Sequence, residues 1–226
     1  MALKTIDRPL YSIGEAARLL QLPSPTLRRW LEGAKVRGTY YKPVIREEPT
    51  GSDGVTWAEF IEAGLLGRYR DRDVPLIKMR PFIEATRAEF GVPYPLAHFK
   101  PWIEGRELVY WLQERTQLDP DLYLVHPAKG GQLQWAHPVA EFLERVEFEP
   151  DSEYIARLYP LGKNEPVVID PNVSFGIPQV RGIRTELVTE SLEAGESPRE
   201  TAKSWGLRLA EVKAAAQYER GLAAAA

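Results

Sequence analysis

The chain has 226 residues, 44% of them apolar and 27% charged, with a formal net charge of −3 and no cysteine. A chain of that length can bury one large core or two to three small ones, and its balance excludes a disordered or low-complexity polymer. Disulfides, thiolate zinc sites and thiol nucleophiles are excluded outright. There is no apolar run of about 18 residues and no charged-then-apolar leader, so neither a membrane span nor a secretory signal is read and a cytoplasmic protein is expected.

The net charge hides an asymmetry. Residues 1–50 carry nine cations, among them Arg28, Arg29, Lys35, Arg37, Lys42 and Arg46, against five acids, a balance of +4 that leaves −7 for the rest. A polyanion meets the local field and not the total, so a basic N-terminal module on an acidic body suits a protein holding nucleic acid at one end.

Residues 11–33, YSIGEAARLLQLPSPTLRRWLEG, read as two short helices joined by a tight turn. Ser12 followed by Glu15 is a capping box, and Ile13, Ala16, Ala17 and Leu20 form an apolar stripe at helical spacing. Ser24 before Pro25 opens the second helix, serine as cap and proline at the first helical position. Leu27, Trp30 and Leu31 should pack inward, turning Thr26, Arg28 and Arg29 outward, a basic face able to meet phosphates and guanine edges. Residues 34–57 hold the β-formers Thr39, Tyr40, Tyr41, Val44 and Ile45 and then a Pro-Thr-Gly-Ser-Asp-Gly cluster, which predicts a β-hairpin wing. Tyr40, Tyr41 and Lys42 could touch a sugar-phosphate backbone or pack the wing onto the core.

Thr56 with Glu59 is a second capping box opening a helix through Phe60, Ile61, Leu65 and Tyr69. A further helical pattern over Pro75–Phe90 must be kinked or split by Pro81. From Val92 the character changes: Phe99–Ile103, Leu108–Leu112, Leu122–Val125, Leu133–Trp135, Val146–Phe148, Tyr154–Tyr159 and Val167–Ile169 read as strands, with a hairpin turn over Pro127–Gly131 and a short helix from His137 to Arg145. Glu186–Ala194, Ser197–Trp205 and Leu209–Gln217 read as three helices, the second with a capping box and proline start, and Gly206 as a left-handed stop. The expected organisation is α+β: an N-terminal winged helix-turn-helix with trailing helices (residues 1–91), a small mixed middle sheet (92–165) and a C-terminal three-helix, helix-turn-helix-like domain (166–226).

Two stretches carry resemblances. Residues 11–33 resemble the opening of the MerR-type winged helix-turn-helix, in which a Tyr-Ser/Thr-Ile-Gly-Glu-Ala-Ala run precedes Leu-Arg-Arg-Trp and a glycine. Residues 166–219, from PVVIDP to AAAQYE, are similar to a small uncharacterised domain family associated with antitoxins, although Ile183 stands where threonine is commoner. Together the order resembles large VapB-class antitoxins, which implies a PIN-domain ribonuclease toxin as partner, autorepression through operator DNA, and a homodimer on a two-fold site. The candidate DNA-binding set is Ser12, Ser24, Thr26, Arg28, Arg29, Arg37, Tyr40, Tyr41 and Lys42. Arg181 and Arg184, beside the Gly182 turn, are candidates for the toxin contact, because an inserted arginine could pair with an acidic nuclease site.

No glycine-rich phosphate loop, histidine pair at metal spacing or paired nucleophile and histidine occurs, so no catalytic residues, metal or cofactor are expected. His98, His126 and His137 read as surface or half-buried structural residues, and Asp119 and Asp170 as turn residues. Two alternatives stay open: a MerR-like ligand-responsive regulator with Trp102, Tyr110, Trp111 and Trp135 around a ligand, and a metal-dependent enzyme using scattered acids.

Overall fold

The computed structural model describes residues 5–70, 75–98, 102, 105–128, 130–148 and 153–225. Among these residues nine α-helices and ten short strands, the strands all in two-stranded pairs, form an α+β architecture. The chain divides into two compact units, Met1–Leu143 with Phe148–Ile155, and Glu144–Glu147 with Ala156–Ala226. No helix among the described residues is long and apolar enough to cross a membrane.

In the first unit, strand Pro9–Ser12 (β1) pairs antiparallel with Gly54–Thr56 (β4), and everything between them is one excursion from that ladder. The excursion contains helix Ile13–Leu20 (α1), helix Ser24–Glu32 (α2) and the hairpin Ala34–Val36 (β2) with Thr39–Tyr41 (β3). Both capping boxes read from the sequence form: Ser12 accepts from Glu15 N while Glu15 accepts from Ser12 N, and Thr56 and Glu59 do the same at helix Trp57–Gly67 (α3). The backbone bond from Ser12 holds the Glu15 carboxyl below its usual range. Ile13, Leu27, Leu31, Ile45, Phe60, Ile61, Leu65 and Leu66 are fully buried and form the core under these helices.

The helical pattern over Pro75–Phe90 is split, not kinked, at Pro81. Pro81 sits in the first turn of helix Arg80–Phe90 (α4), preceded by a short 3-10 segment over Leu76–Met79, so the proline falls where its missing N–H costs nothing. Beyond Val92 the described strands form separate two-stranded pairs in place of one mixed sheet. Leu108–Leu112 lies inside helix Arg106–Arg115 (α5): Val109, Leu112 and Gln113 fall at helical spacing and are buried, and that period overrides the β-propensity of Val-Tyr-Trp. Gln113 then clamps the next strand, accepting from Leu124 N (2.7 Å) and Val125 N (3.0 Å) and donating to Val125 O (3.0 Å). Leu122 ends a 3-10 turn, and the strand begins only at Val125. Val125–Pro127 (β5) and Leu133–Trp135 (β6) form the expected hairpin, followed by helix His137–Leu143 (α6). The strand expected over Phe99–Ile103 lies outside the described residues except at Trp102.

In the second unit the strands form a ribbon. Val146–Phe148 (β7) and Ile155–Leu158 (β8), which both run across the division, pair; single bridges Leu158–Ile169 and Val168–Gln179 continue it to Gln179–Val180 (β9) and Ile183–Arg184 (β10). Three helices follow, Thr185–Glu193 (α7), Pro198–Trp205 (α8) and Leu209–Ala225 (α9), the last longer than its sequence signals suggest. Val188, Val212, Ala215, Tyr218 and Leu222 are buried in it, and the small alanines of α9 let it approach α7 and α8.

Two buried ionisable groups stand out in the first unit. Arg46, 4% exposed, spends its guanidinium on six acceptors: Nε on Glu59 Oε1 (2.7 Å), Nη1 on Glu32 Oε1, Thr50 Oγ1 (2.6 Å) and Ser52 O (3.2 Å), and Nη2 on Gly54 O (2.6 Å) and Glu59 Oε2 (3.2 Å). Burial alone would lower its pKa, but pairing with Glu59 and Glu32 raises it above the ordinary value. Glu62 is fully buried on α3; its Oε1 accepts from Leu96 N (2.8 Å), and its Oε2 has no hydrogen-bond partner. Burial outweighs the Leu96 bond and the field of Arg87 and pushes its pKa from 4.5 up to about 8.

Arg46→Ala, which strands Glu59 in the core, should cost about 3–5 kcal/mol of unfolding free energy in urea. Arg46→Lys should recover little, since a point charge cannot serve a planar fork of partners. Glu62 titrates at 4.5 when unfolded and at about 8 when folded. The stability it allows is therefore fully present below the lower value and is lost as pH rises through the upper one. The melting temperature of the wild type relative to Glu62→Gln should fall across that window, and a flat difference would exclude a protonated Glu62.

Candidate nucleic-acid interface

Helix α2 begins one residue earlier than its sequence suggests. Pro23 accepts the first helical bonds, from Thr26 N (2.9 Å) and Leu27 N (3.1 Å), so Pro23 is the cap residue, and Ser24 lies inside the first turn with no capping role. The inward face is as expected, with Leu27, Trp30 and Leu31 buried. Arg28 and Arg29 are exposed, Ser24 and Thr26 half-buried. Arg28 Nη2 lies 2.8 Å from Asp53 Oδ1, both side chains more than half exposed, an ion pair worth little in water and exchangeable for a phosphate. Arg29 Nη2 meets the Thr26 hydroxyl at 3.4 Å.

The hairpin is fixed to the end of α2 by Gly33. Its φ is +73°, and a Cβ there would sit 2.4 Å from Tyr41 O and 2.7 Å from the Tyr40 hydroxyl, so no other residue fits without moving the hairpin. The turn is the two-residue pair Arg37 and Gly38, both at positive φ, which matches the strand twist and leaves Arg37 exposed at the tip. The Pro-Thr-Gly-Ser-Asp-Gly cluster serves a different purpose: Thr50, Ser52 and Gly54 supply acceptors to Arg46.

Strand alternation separates the two tyrosines. Lys35 opposes Tyr40 on one face; Ala34 opposes Tyr41, and Val36 opposes Thr39, on the other. Tyr40 donates to Glu32 O (3.1 Å) and so braces the hairpin against α2. Tyr41 turns to a cleft of about 430 Å³ lined by Arg29, Trp30, Val36, Lys42, Val44 and the segment Pro75–Ile77. Lys42 is exposed and ion-paired with Glu48. The loop beneath is held from α4 by Arg80, which donates to Pro43 O, and by Arg87, which donates to Ile45 O (2.8 Å).

Eight of the nine residues named from the sequence thus lie on α2 and the adjoining hairpin or its exit, Lys42. Ser12 does not join them: its hydroxyl is engaged with Glu15 at the start of α1 (2.8 Å). Ser24 is on α2 but only half-buried in its first turn. Sequence reading passed over Lys35, exposed on β2, although its charge and its place opposite Tyr40 would have found it. It counted Arg46 with the basic surface, whereas that charge is internal. The cleft had no local signal, because its walls come from residues 29–44 and 75–77.

Elsewhere, Arg181 is exposed at the β9–β10 turn with φ +50°, donating to Gly206 O (3.2 Å), and Arg184 is half-buried, 3.6 Å from Glu186. Asp119 accepts from Asp121 N (3.3 Å), and Asp170 from Asn172 N (2.8 Å) and Arg157 Nε (2.7 Å), which makes both turn residues. His98 is buried edge-on to Tyr154, deeper than expected; His126 stacks on Tyr123, and His137 is exposed near Glu141. Among the described residues no group of three or more His, Cys, Asp or Glu gathers as a metal site. The middle aromatics pack on one another: Trp102 meets Trp135 edge-on at 5.3 Å and donates to Leu96 O, Tyr110 meets Tyr123, and Trp111 lies under Arg115.

Comparison with known proteins gives matches along nearly the whole chain. Residues 167–218 match the family model described as "Protein of unknown function (DUF433)". A Mycobacterium tuberculosis protein named "Putative antitoxin VapB45" is 28% identical over 89% of this chain and 90% of its own length. The crystal structure of Rv2018 from the same organism superposes with a TM-score of 0.75 at 26% identity, covering 93% of this chain and 98% of that one. The uncharacterized protein Rv2308 of M. tuberculosis is 32% identical over 95% of this chain and 92% of its own length, and the chain belongs to that protein's family.

Proposed function

We propose that this protein is a non-catalytic antitoxin of a toxin–antitoxin pair, which represses its own operon through the first unit and neutralises a PIN-domain ribonuclease through the second. The observation that carries this reading is the match to a protein named as an antitoxin, collinear over 89% of the chain. The DUF433 match, which falls wholly in the second unit, is consistent with it.

For the DNA half, the supporting geometry is the exposed set Arg28, Arg29, Lys35, Arg37 and Lys42 on α2, the hairpin and its exit, with Thr26 half-buried beside them. In this reading the unit is a winged helix-turn-helix, with α2 in the major groove and the hairpin as wing along the backbone. Arg28 exchanges Asp53 for a phosphate or a guanine edge, and Arg29, which among the described residues has only the Thr26 hydroxyl as partner, does so at lower cost. Tyr40 is committed to bracing, which leaves Lys35 and the tip Arg37 as the wing's phosphate contacts. A two-fold operator implies that two copies bind together.

For the toxin half, Arg181 is the better of the two candidate arginines. It stands exposed at a rigid two-residue turn, whereas Arg184 is half-buried beside Glu186. An arginine entering an acidic nuclease site would pair with its carboxylates and compete with the metal there.

Gel shifts on the DNA upstream of its own coding sequence test the first half: Arg28→Ala and Arg29→Ala should each weaken binding by about 1–3 kcal/mol if they reach bases, with a smaller, sequence-independent loss if they reach phosphates. A double variant that binds as tightly as the wild type rules out α2. For the second half, co-expression with the adjacent ribonuclease should give a complex in which RNA cleavage is lost; a nuclease left fully active in excess of this protein rejects neutralisation.

A further inference from the structure

The cleft beside α2 carries chemistry that duplex binding leaves unused. Its volume, about 430 Å³, suits a small organic molecule, and its walls are mostly apolar: Trp30, Ala34, Val36, Val44, Pro75, Leu76 and Ile77. Val36 and Tyr41 face it while remaining 47% and 45% exposed, so the hairpin keeps apolar surface in water at this point. Sugar-phosphate backbone gives such a surface nothing to bury.

The lining is also one-sided in charge. Among the described residues it contains two cations, Arg29 and Lys42, and no carboxylate. Among the described residues Arg29 has a neutral hydroxyl as partner, and Lys42 pairs with Glu48, where both groups are exposed and readily exchanged.

We propose that this cleft binds a small amphipathic monoanion, an aromatic or branched carboxylate, with its apolar body against Trp30, Val36, Val44 and Leu76 and its anionic group on Arg29 and Lys42. Because Arg29 and Lys42 also belong to the proposed DNA face, ligand and duplex compete for the same cations, and each lowers the affinity of the other by the same factor. The competition rests on the DNA-binding reading; the site itself does not.

The test is a fluorescence titration with anilinonaphthalene sulfonate, followed by displacement with naphthoate and with its neutral isostere naphthamide. One saturable site is expected, with naphthamide weaker than naphthoate by about tenfold or more, the loss of one charge-assisted hydrogen bond. Arg29→Gln should reduce that preference, and Arg29→Gln with Lys42→Gln should erase it. Val36→Asp and, independently, Tyr41→Ser, both at exposed positions, should weaken both ligands while the circular dichroism stays that of the folded wild type. Equal affinity for naphthoate and naphthamide, or binding indifferent to both cleft variants, overturns the site. Operator binding that is unaffected by saturating naphthoate overturns the competition, whereas absence of operator binding without any ligand falls on the DNA reading and leaves the site standing.

Discussion

A single buried guanidinium holds the first unit together. Arg46 lies in the irregular stretch between hairpin and β4, and its partners are Glu32 at the end of α2, Thr50 and Ser52 in the loop, Gly54 at the start of β4, and Glu59 in the first turn of α3. A charge taken out of water must find its full set of partners, because each missing one leaves a desolvated group. That requirement fixes three otherwise independent segments in one arrangement. The orientation of the exposed face of α2 follows, since the same residues that bury Arg46 set the end of that helix.

Glu59 shows how closely local and long-range roles are superposed. It completes the capping box of α3 with Thr56, receives both ends of the Arg46 fork and accepts from the Tyr94 hydroxyl (3.0 Å). A helix start is thereby welded to the loop that precedes it and to a segment 35 residues later. The balance of +4 in residues 1–50 survives the burial of Arg46, because Glu32 is withdrawn with it, while Arg28 and Lys42 hold surface partners only. Five of the exposed cations, Arg28, Arg29, Lys35, Arg37 and Lys42, are gathered on one helix and one hairpin with its exit.

Much of this was legible because it is local. Ser12 with Glu15, Thr56 with Glu59 and Ser197 with Glu200 are three-residue signals, and all three form as capping boxes. The two faces of α2 follow from spacing alone. What was not legible depends on distant partners. Leu-Val-Tyr-Trp-Leu carries strand-forming side chains, yet burial of Val109, Leu112 and Gln113 on one face makes it helical. Nothing near Arg46 announces that it is internal, since its carboxylates stand 14 residues before and 13 after it. Glu62 looks like any helical glutamate until Leu96 closes over it, and the cleft exists only once Pro75–Ile77 meets the hairpin.

The course of the chain between the two units has its own outcome. Glu144–Glu147 is counted with the second unit, Phe148–Ile155 with the first, and the chain then returns to the second for good. The returning stretch is not idle: Ile155 receives the indole N–H of buried Trp57 at 2.7 Å and donates to Ala97 O at 3.1 Å. Scission at any one peptide bond would therefore strip one unit of a piece that belongs to it, since neither unit is one continuous stretch of chain. No single cut or fusion point can hand on either unit whole.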